Sequence, residues 1–516
     1  MIEARRSSKR SSLAVSLASG LLLIGACDPG DAARGQWLHN VVVLDNQVFF
    51  ESEPELAGGK LAKMDLDLYA YFRGTAGCFA RDLAQAGGPG YLPTEFLAED
   101  AADVALIGDP HLENIGTYLR RGGLPSESLP DREGLLVVDF NDYDAATYGP
   151  FHFDVRRLAL SAAIASASID ALSPGFAEAT AEAPRALTQA YVDEIERLHA
   201  GAADEPLTEE NGELGTILAD LVKKARAKGD DREELSDYTE IVDGERSLAV
   251  RENDPGIAWR AGDYAHVVYD DEVAAIADED LQIIKSVLED TYPATVADPA
   301  TIEPVAETLR IKGVGRRLGA GVASYPVRRY YVLVEGPTES IADDWLLELK
   351  QVFDPLVVPG LEQAAGGRPY GDNGERVVAM QRDLQGATEN DVLLGHGAAG
   401  GLTMRVRERT KYQRGVGVDR IAEKSAEGKW TAEDYLDYVR WSGRLLARAH
   451  ARGVKRDGDA GLVAIAGALR GDGRGAGFVD ETVAFVDAYA PVVEGDSLRF
   501  RELLASYGPV LGYVGR

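Results

Sequence analysis

Between Val104 and Leu119 the chain reads VALIGDPHLENIGTYL, with Asp109, His111, Glu113 and Asn114 crowded directly behind an apolar run. Polar residues at that density predict a loop, and a loop at the end of a buried strand is where a rigid scaffold presents reactive groups. Asp109 and Asn114 are spaced D-x-x-x-x-N, and the next apolar run ends VVDFN, with Asp139 at its tip. This is the order of parts in a phosphotransferase site. One carboxylate accepts the proton of an attacking hydroxyl, while an amide oxygen and a second carboxylate hold Mg²⁺ against nucleotide phosphates. Mg²⁺ prefers hard oxygen ligands and keeps several waters, so few protein oxygens suffice. The base must be a separate group, free to face the acceptor.

Other stretches could complete such a site. In RIKGVGRRLGAGVASYPVRRYYVLVEG, Gly313, Gly315 and Gly319 precede an apolar strand, and such a loop can fold backbone N–H groups over phosphates; an ordinary turn is the alternative. DDWLLELKQVF carries Lys350 inside an apolar run. A buried ammonium is costly without an anionic partner, and nucleotide phosphates are one such partner; an exposed strand face would remove the need. Asp142 and Asp144 in NDYDAA read as a solvated turn or as added metal ligands, but lack the glycine and closing glutamate of a calcium loop. Arg73, in FRG, reads equally as a structural ion pair or a phosphate contact. His111 could be an acid or a metal ligand, and reads best as part of the loop's own structure. Cys78, in GTAGCFARDLA, reads as a small buried hydrophobe.

IGDPHLEN, VVDF and GPFHFDVRRLALS together resemble the catalytic segment of the aminoglycoside phosphotransferase and choline kinase branch of the kinase-like fold. That resemblance implies Asp109 as catalytic base, Asn114 and Asp139 as Mg²⁺ ligands, and Asp154 bracing the loop from the next helix. It also implies ATP or another nucleotide held by Lys350 and the glycine loop. The parts are rotated: kinases place the glycine loop and lysine first, whereas here the catalytic loop precedes them. WSGRLLARAHAR, near the other end of the chain, resembles the helix that leads into that loop. A circularly permuted α+β, two-lobed kinase-like fold with extra helices accounts for this order. From about residue 60 to 455 the chain also resembles the bacterial domain of unknown function 2252. The carriers are YAYFRGTAGCFARDLA, GDPHLENIG, VVDFNDYDAATYGPFHFDVRRLALS, KGVGRRLGAG, LLELKQ, GERVVAMQRDLQ and LARAHAR. That family's glycine loop is usually closer to G-V-G-S-V-G, and its strand lysine is usually followed by Glu, where this chain has Gln351.

The elements that must position these groups follow from pattern. VALIG and GLLVVDF predict buried strands, and VVVLDNQVFF (41–50) another. KLAKMDLDLYAYFRGTAGCFARDLAQAGG predicts helix, as does the stretch from Asp154 to about Ala200, broken near Ser173–Pro174. Residues 200–300 read as charged and mostly helical. YPVRRYYVLVEG and DDWLLELKQVF predict paired strands turning near Gly336–Pro337, and GERVVAMQRDLQ and GLTMRVRERT two more. TAEDYLDYVRWSGRLLARAHAR is a strongly amphipathic helix capped by Thr431. The tail predicts helix with breaks near 470–477. The boundaries are a signal over 1–27, a tether over 28–40, a helical lobe carrying the catalytic loop over 41–300, a β-rich nucleotide lobe over 301–410, and C-terminal helices over 411–516.

The N-terminus orders basic, apolar and small residues up to Cys27 in LIGAC, similar to the lipobox of bacterial lipoproteins. Cys27 would then be lipidated and the protein held at the cell envelope, outside the cytoplasm, by acyl chains alone. The formal net charge of −31 repels phosphate backbones and argues against nucleic-acid partners. Two cysteines, one at the lipid site, leave no disulfide framework in the mature chain. The best-supported reading is an Mg²⁺/nucleotide-dependent phosphotransferase acting on a small-molecule or protein hydroxyl. The alternatives are a non-catalytic, pseudokinase-like envelope protein that binds a phosphorylated ligand or a protein, and a metal-dependent hydrolase using Asp109, His111, Asp139 and Asp142.

Overall fold

A computed structural model describes residues 29–85, 88–97, 101–120, 134–210, 213–251, 257–261, 264–269, 272–296, 310–336, 338–355, 370–387, 391, 393–456, 458–471 and 473–515. The signal segment and Cys27 lie outside the described residues, as does Pro337. The protein is α+β. Helices α1 (Pro29–Ser52), α2 (Pro54–Met64), α3 (Leu68–Gly74) and α4 (Ala76–Ala84) precede the first strands. Strands β1 (Val104–Leu106), β2 (Ile115–Arg120), β3 (Leu135–Phe140) and β4 (Thr147–Gly149) frame the segment that holds Asp109 and Asn114, followed by α5 (Phe151–Leu172), α6 (Ala177–His199), α7 (Gly215–Asp230) and α8 (Glu233–Tyr238).

Three expectations change here. The stretch 29–40 is helix, not tether, and 41–50 continues it as α1 rather than forming a strand. Its valines do not decide the matter, because Leu38, Val41, Val42 and Phe49 recur on one helical face and pack into the main core. Residues 200–300 also hold more strand than expected: β5 (Thr239–Val242), β6 (Glu245–Leu248), β7 (Ile257–Ala261), β8 (Tyr264–Val268) and β9 (Glu272–Ala274) precede helix α9 (Asp278–Ser286).

The β-rich part continues with β10 (Ile311–Leu318), β11 (Arg329–Val334), β12 (Trp345–Gln351), helix α10 (Asn373–Leu384), β13 (Gly395–Ala399) and β14 (Leu402–Glu408). Its sheet is antiparallel throughout, in the order β13-β14-β12-β11-β10-β9. GERVVAMQRDLQ is helix α10, not strand. The Asp372 side chain accepts from the Glu375 N–H at its start, and Val377, Met380, Gln381 and Leu384 fall at helical spacing on the buried face. Along β12 the pleat separates two faces. Trp345, Leu347 and Leu349 enter the core of this part, while Glu348 and Lys350 share the opposite face.

The short strand β15 (Arg414–Gly415) joins β2 and β3. Helices α11 (Val418–Ala426), α12 (Ala432–Arg452), α13 (Gly461–Leu469) and α14 (Arg474–Tyr507) complete the chain. Thr431 and Asp434 cap α12 reciprocally. The α12 helix crosses α6 so closely that a Cβ on Gly443 would lie 2.2 Å from the Leu187 carbonyl oxygen.

Candidate functional site

Two loops carry the polar groups, and two strand pairs hold both. β1 pairs antiparallel with β4, and β2 with β3, where Ile115 faces Phe140. The loop from β1 to β2 (107–114) and the loop from β3 to β4 (141–146) therefore start and end against each other. Gly108, at φ +85°, makes the turn into the first loop, where a Cβ would meet the Ala145 carbonyl oxygen at 2.0 Å. Asp154, in the first turn of α5, fixes the same turn: its carboxylate accepts from the Ile107 N–H at 2.7 Å and the Gly108 N–H at 3.1 Å. Asp154 is itself held at 3.2 Å by His450 Nε2, whose Nδ1 lies 2.9 Å from the Tyr191 hydroxyl. The chain thus runs from α6 through α12 to the loop, and all three side chains are buried.

Within the loop, Asn114 donates its side-chain N–H to the Asp109 carbonyl at 3.0 Å, which leaves the amide oxygen as its remaining ligand atom. Asp109 accepts from Arg157 Nε at 2.8 Å, and Arg157 also bonds the Phe72 carbonyl and stacks on the Phe72 ring. Burial pushes the Asp109 carboxyl above its ordinary range against the pull of Arg157. His111 is buried, with no hydrogen-bond partner for Nδ1 among the described residues. Burial, with Arg73 and Arg157 beside it, drives its imidazole well below the usual value, so it is neutral at pH 7.

Asp139 is not with these groups. Its carboxylate accepts from Arg452 Nη1 at 2.8 Å, the Gly386 N–H at 3.0 Å and the Phe140 N–H at 2.8 Å. These three bonds tie its carboxylate to the surrounding structure, and Asp139 does not line the cleft, so the structure does not bring this expected metal ligand together with Asp109 and Asn114. The side chain that reaches the cleft from this loop is Asp142, with Asp144 beside it. Lys350, almost fully buried, pairs with Asp144 and lies 3.6 Å from Asp142. Burial would raise the Asp142 carboxyl, but Lys350, Arg405 and Arg407 outweigh it and hold it well below the usual range.

The glycine expectation also shifts. Gly313 and Gly315 lie within β10, against Leu248 and Val273, and do not face the cleft. The turn follows them: Gly319 and Gly321 take positive φ, and Val322, Ala323 and Ser324 reach the cleft wall. Lys63 of α2 donates to the Gly319 and Gly321 carbonyls at 2.8 and 3.3 Å. Arg73 pairs with Glu113, whose other oxygen accepts from the Val418 N–H.

Asp109, His111, Asn114, Asp142, Asp144, Lys350 and Arg73 thus line one cleft of about 270 Å³. Sequence reasoning missed one wall, from α1, α2 and the start of α4, which adds Asp45, Phe49, Lys60 and Gly77. The signal for Lys60 was the one that marked Lys350: a lysine inside a small and apolar run, here AGGKLA. Cys78 is buried and burial pushes its thiol up, leaving an inert packing group.

Fold and cleft define an α+β protein whose charged cleft lies between a helical body and a β-rich part. The chain belongs to the family described as uncharacterized protein conserved in bacteria, domain of unknown function 2252, whose family model matches residues 52–503. Neither the curated proteins nor the solved structures give a match to this chain. No helix among the described residues is long and apolar enough to cross a membrane.

Proposed function

We propose that the protein is a kinase-like, Mg²⁺- and nucleotide-dependent phosphotransferase with a circularly permuted chain. The observation that carries this reading is the convergence of Asp109, Asn114, Asp142 and Lys350 on one cleft, from segments far apart in sequence. The donor set suits the metal. Asn114 and Asp142 offer hard oxygens, and among the described residues no three His, Cys, Asp or Glu side chains group into a protein-only cage. That matches a cation sharing its shell with water and phosphates. Bound there, Mg²⁺ would neutralise charge on the transferred group.

The protein's own groups then have distinct tasks. Lys350 is positioned to neutralise phosphate charge by exchanging part of its pairing with Asp144. Asp109, raised by burial and oriented by Arg157, accepts the acceptor's hydroxyl proton. The 319–324 turn covers the phosphates with backbone. Such a site acts by positioning and charge neutralisation.

Chain order supports the permuted reading. The succession β10, β11, β12 with its lysine, α10, β13, β14 follows the order of a kinase small lobe, in a sheet where β14 separates β12 from β13. The α12 helix ends at Arg452 beside the start of β1. The Arg456 N–H bonds the Asp103 carbonyl at 3.3 Å, and its guanidinium bonds the Asp103 carboxylate at 2.9 Å. The helix and the loop it would feed in an unpermuted chain are thus neighbours in space. The envelope location inferred from Cys27 belongs to the same proposal.

Calorimetric titration of ATP, with and without Mg²⁺, into wild type and Asp142→Asn tests this. Expected is Mg²⁺-dependent binding that the variant loses. Absence of Mg²⁺-dependent binding in wild type overturns the reading and favours the non-catalytic one.

A further inference from the structure

The wall that sequence reasoning missed closes the cleft beside Asp109. The α2 helix reaches across to the 319–327 segment, where Gly59 lets Tyr325 pack so tightly that a Cβ would stand 2.4 Å from its ring. Lys63 clamps the same segment from the next turn of the helix. Inside this closed end sits Lys60. It is 6% exposed, it lines the cleft, and Asn46 Oδ1 at 2.7 Å is its one hydrogen-bond partner among the described residues. No ion pair of Lys60 occurs among the described residues, unlike Lys350. In the same cleft Arg73, paired with Glu113 through Nη1, leaves its Nε, and His111 its Nδ1, buried and unpartnered among the described residues. Asp45 and, more weakly, Asp109 act on the Lys60 ammonium; Asp45 is itself bound by Arg81, and Asp109 and Lys60 line the same cleft.

A buried ammonium satisfied by one neutral oxygen is an incomplete site for an anion. Resting on the phosphotransferase reading, we infer that the acceptor is a small hydroxylated oxyanion, whose carboxylate or phosphate is held by Lys60 and Arg73 while its hydroxyl faces Asp109. A cleft of about 270 Å³ walled at this end by α1 and α2 suits a small acceptor. In the transfer, the acceptor oxygen bonds the γ-phosphorus of a nucleoside triphosphate. The bond to the bridging oxygen breaks, its electron pair leaves with the nucleoside diphosphate, and the hydroxyl proton passes to Asp109. Burial pushes the Lys60 ammonium down to about 8 against the opposing pull of Asp45 and Asp109, so the lysine's share of the grip is present at neutral pH and is lost above that value, while Arg73 stays charged.

The test uses three probes on one carbon skeleton: glycerol, D-glycerate and sn-glycerol 3-phosphate. Each is titrated into the protein with and without Mg²⁺·ADP. At least one anion is expected to bind at millimolar concentration or better, about tenfold or more tightly than glycerol. Lys60→Met is expected to abolish that preference while Mg²⁺·ATP affinity is retained. Asn46→Asp, which keeps the lysine but places a carboxylate against it, is expected to do the same, so a folding defect in either variant does not decide the matter. The carboxylate and phosphate arms identify which oxyanion fits. Equal binding of glycerol, binding that ignores both variants, or no binding of either anion overturns the inference. Anion binding that depends on Lys60 in a protein that binds no nucleotide would instead sink the phosphotransferase reading and leave the anion site standing.

Discussion

A lysine held against one amide oxygen costs stability. Because burial lowers the Lys60 ammonium from 10.5 to about 8, the folded state carries the penalty wherever both folded and unfolded lysine are charged, below about pH 8. The penalty, on the order of 3 kcal/mol at one pKa unit per ~1.4 kcal/mol, fades as pH rises toward the unfolded value. Lys60→Met should therefore raise the melting temperature at pH 7, and the gain should shrink between pH 8 and 10.5. A gain that does not change with pH would refute this origin. Asp139 and Asp142 behave oppositely. Asp139→Asn should cost about 2–3 kcal/mol in a urea melt, because Arg452 loses a buried partner while keeping Asp204. Asp142→Asn should cost little stability but abolish Mg²⁺-dependent nucleotide binding. The types in VVDFNDYD were legible in the sequence. Which carboxylate turns inward was not, because that depends on Arg452, 313 residues away.

The α12 helix ties the 107–114 loop to the helical body. His450 and Arg452, in its last turn, hold Asp154 and Asp139. Their positions depend on how closely α12 lies on α6, which Gly443 permits. Gly443→Ala improves helix propensity by about 1 kcal/mol yet forces the helices apart, and overpacking of that kind costs about 1–3 kcal/mol. Net destabilisation in chemical denaturation is expected, together with weaker nucleotide binding although no binding residue changes. A variant as stable as wild type would show that the pair has slack. Helix α12 was legible because its cap and apolar stripe agree. Helices α1 and α10 were misread as strands because VVV and VV invite that reading locally. Their burial is helical: Val377, Met380 and Leu384 all face inward only at 3.6 residues per turn. Tertiary packing overrode propensity in both. The glycine loop was displaced for a similar reason, since GVG fits a strand as readily as a turn, and only its pairing with β11 assigns it to the sheet.

The helical body and the β-rich part meet through charge. Lys350 and Arg405 of the sheet face Asp142 and Asp144 of the β3–β4 loop, Arg407 bonds the Asn141 carbonyl, and Arg376 of α10 bonds the carbonyls of Asp144 and Ala146. The main apolar core belongs largely to the helices and a separate one to the sheet. This junction should therefore answer to pH and salt more than the cores do. Because Asp142 is held well below the ordinary carboxylate range, its contribution is present above about pH 4 and is lost as pH falls through its depressed value. Its side chain is 41% exposed to the cleft, so screening limits the contribution to about 1 kcal/mol or less. Urea melts of wild type and Asp142→Asn at low salt should differ by a constant amount from pH 5 to 8, and the difference should shrink progressively as pH falls below 4, or at high salt. A difference unchanged between pH 5 and pH 2 would mean that Asp142 stabilises the protein through hydrogen bonds, such as the one it accepts from the Asp144 N–H, rather than by joining the two parts.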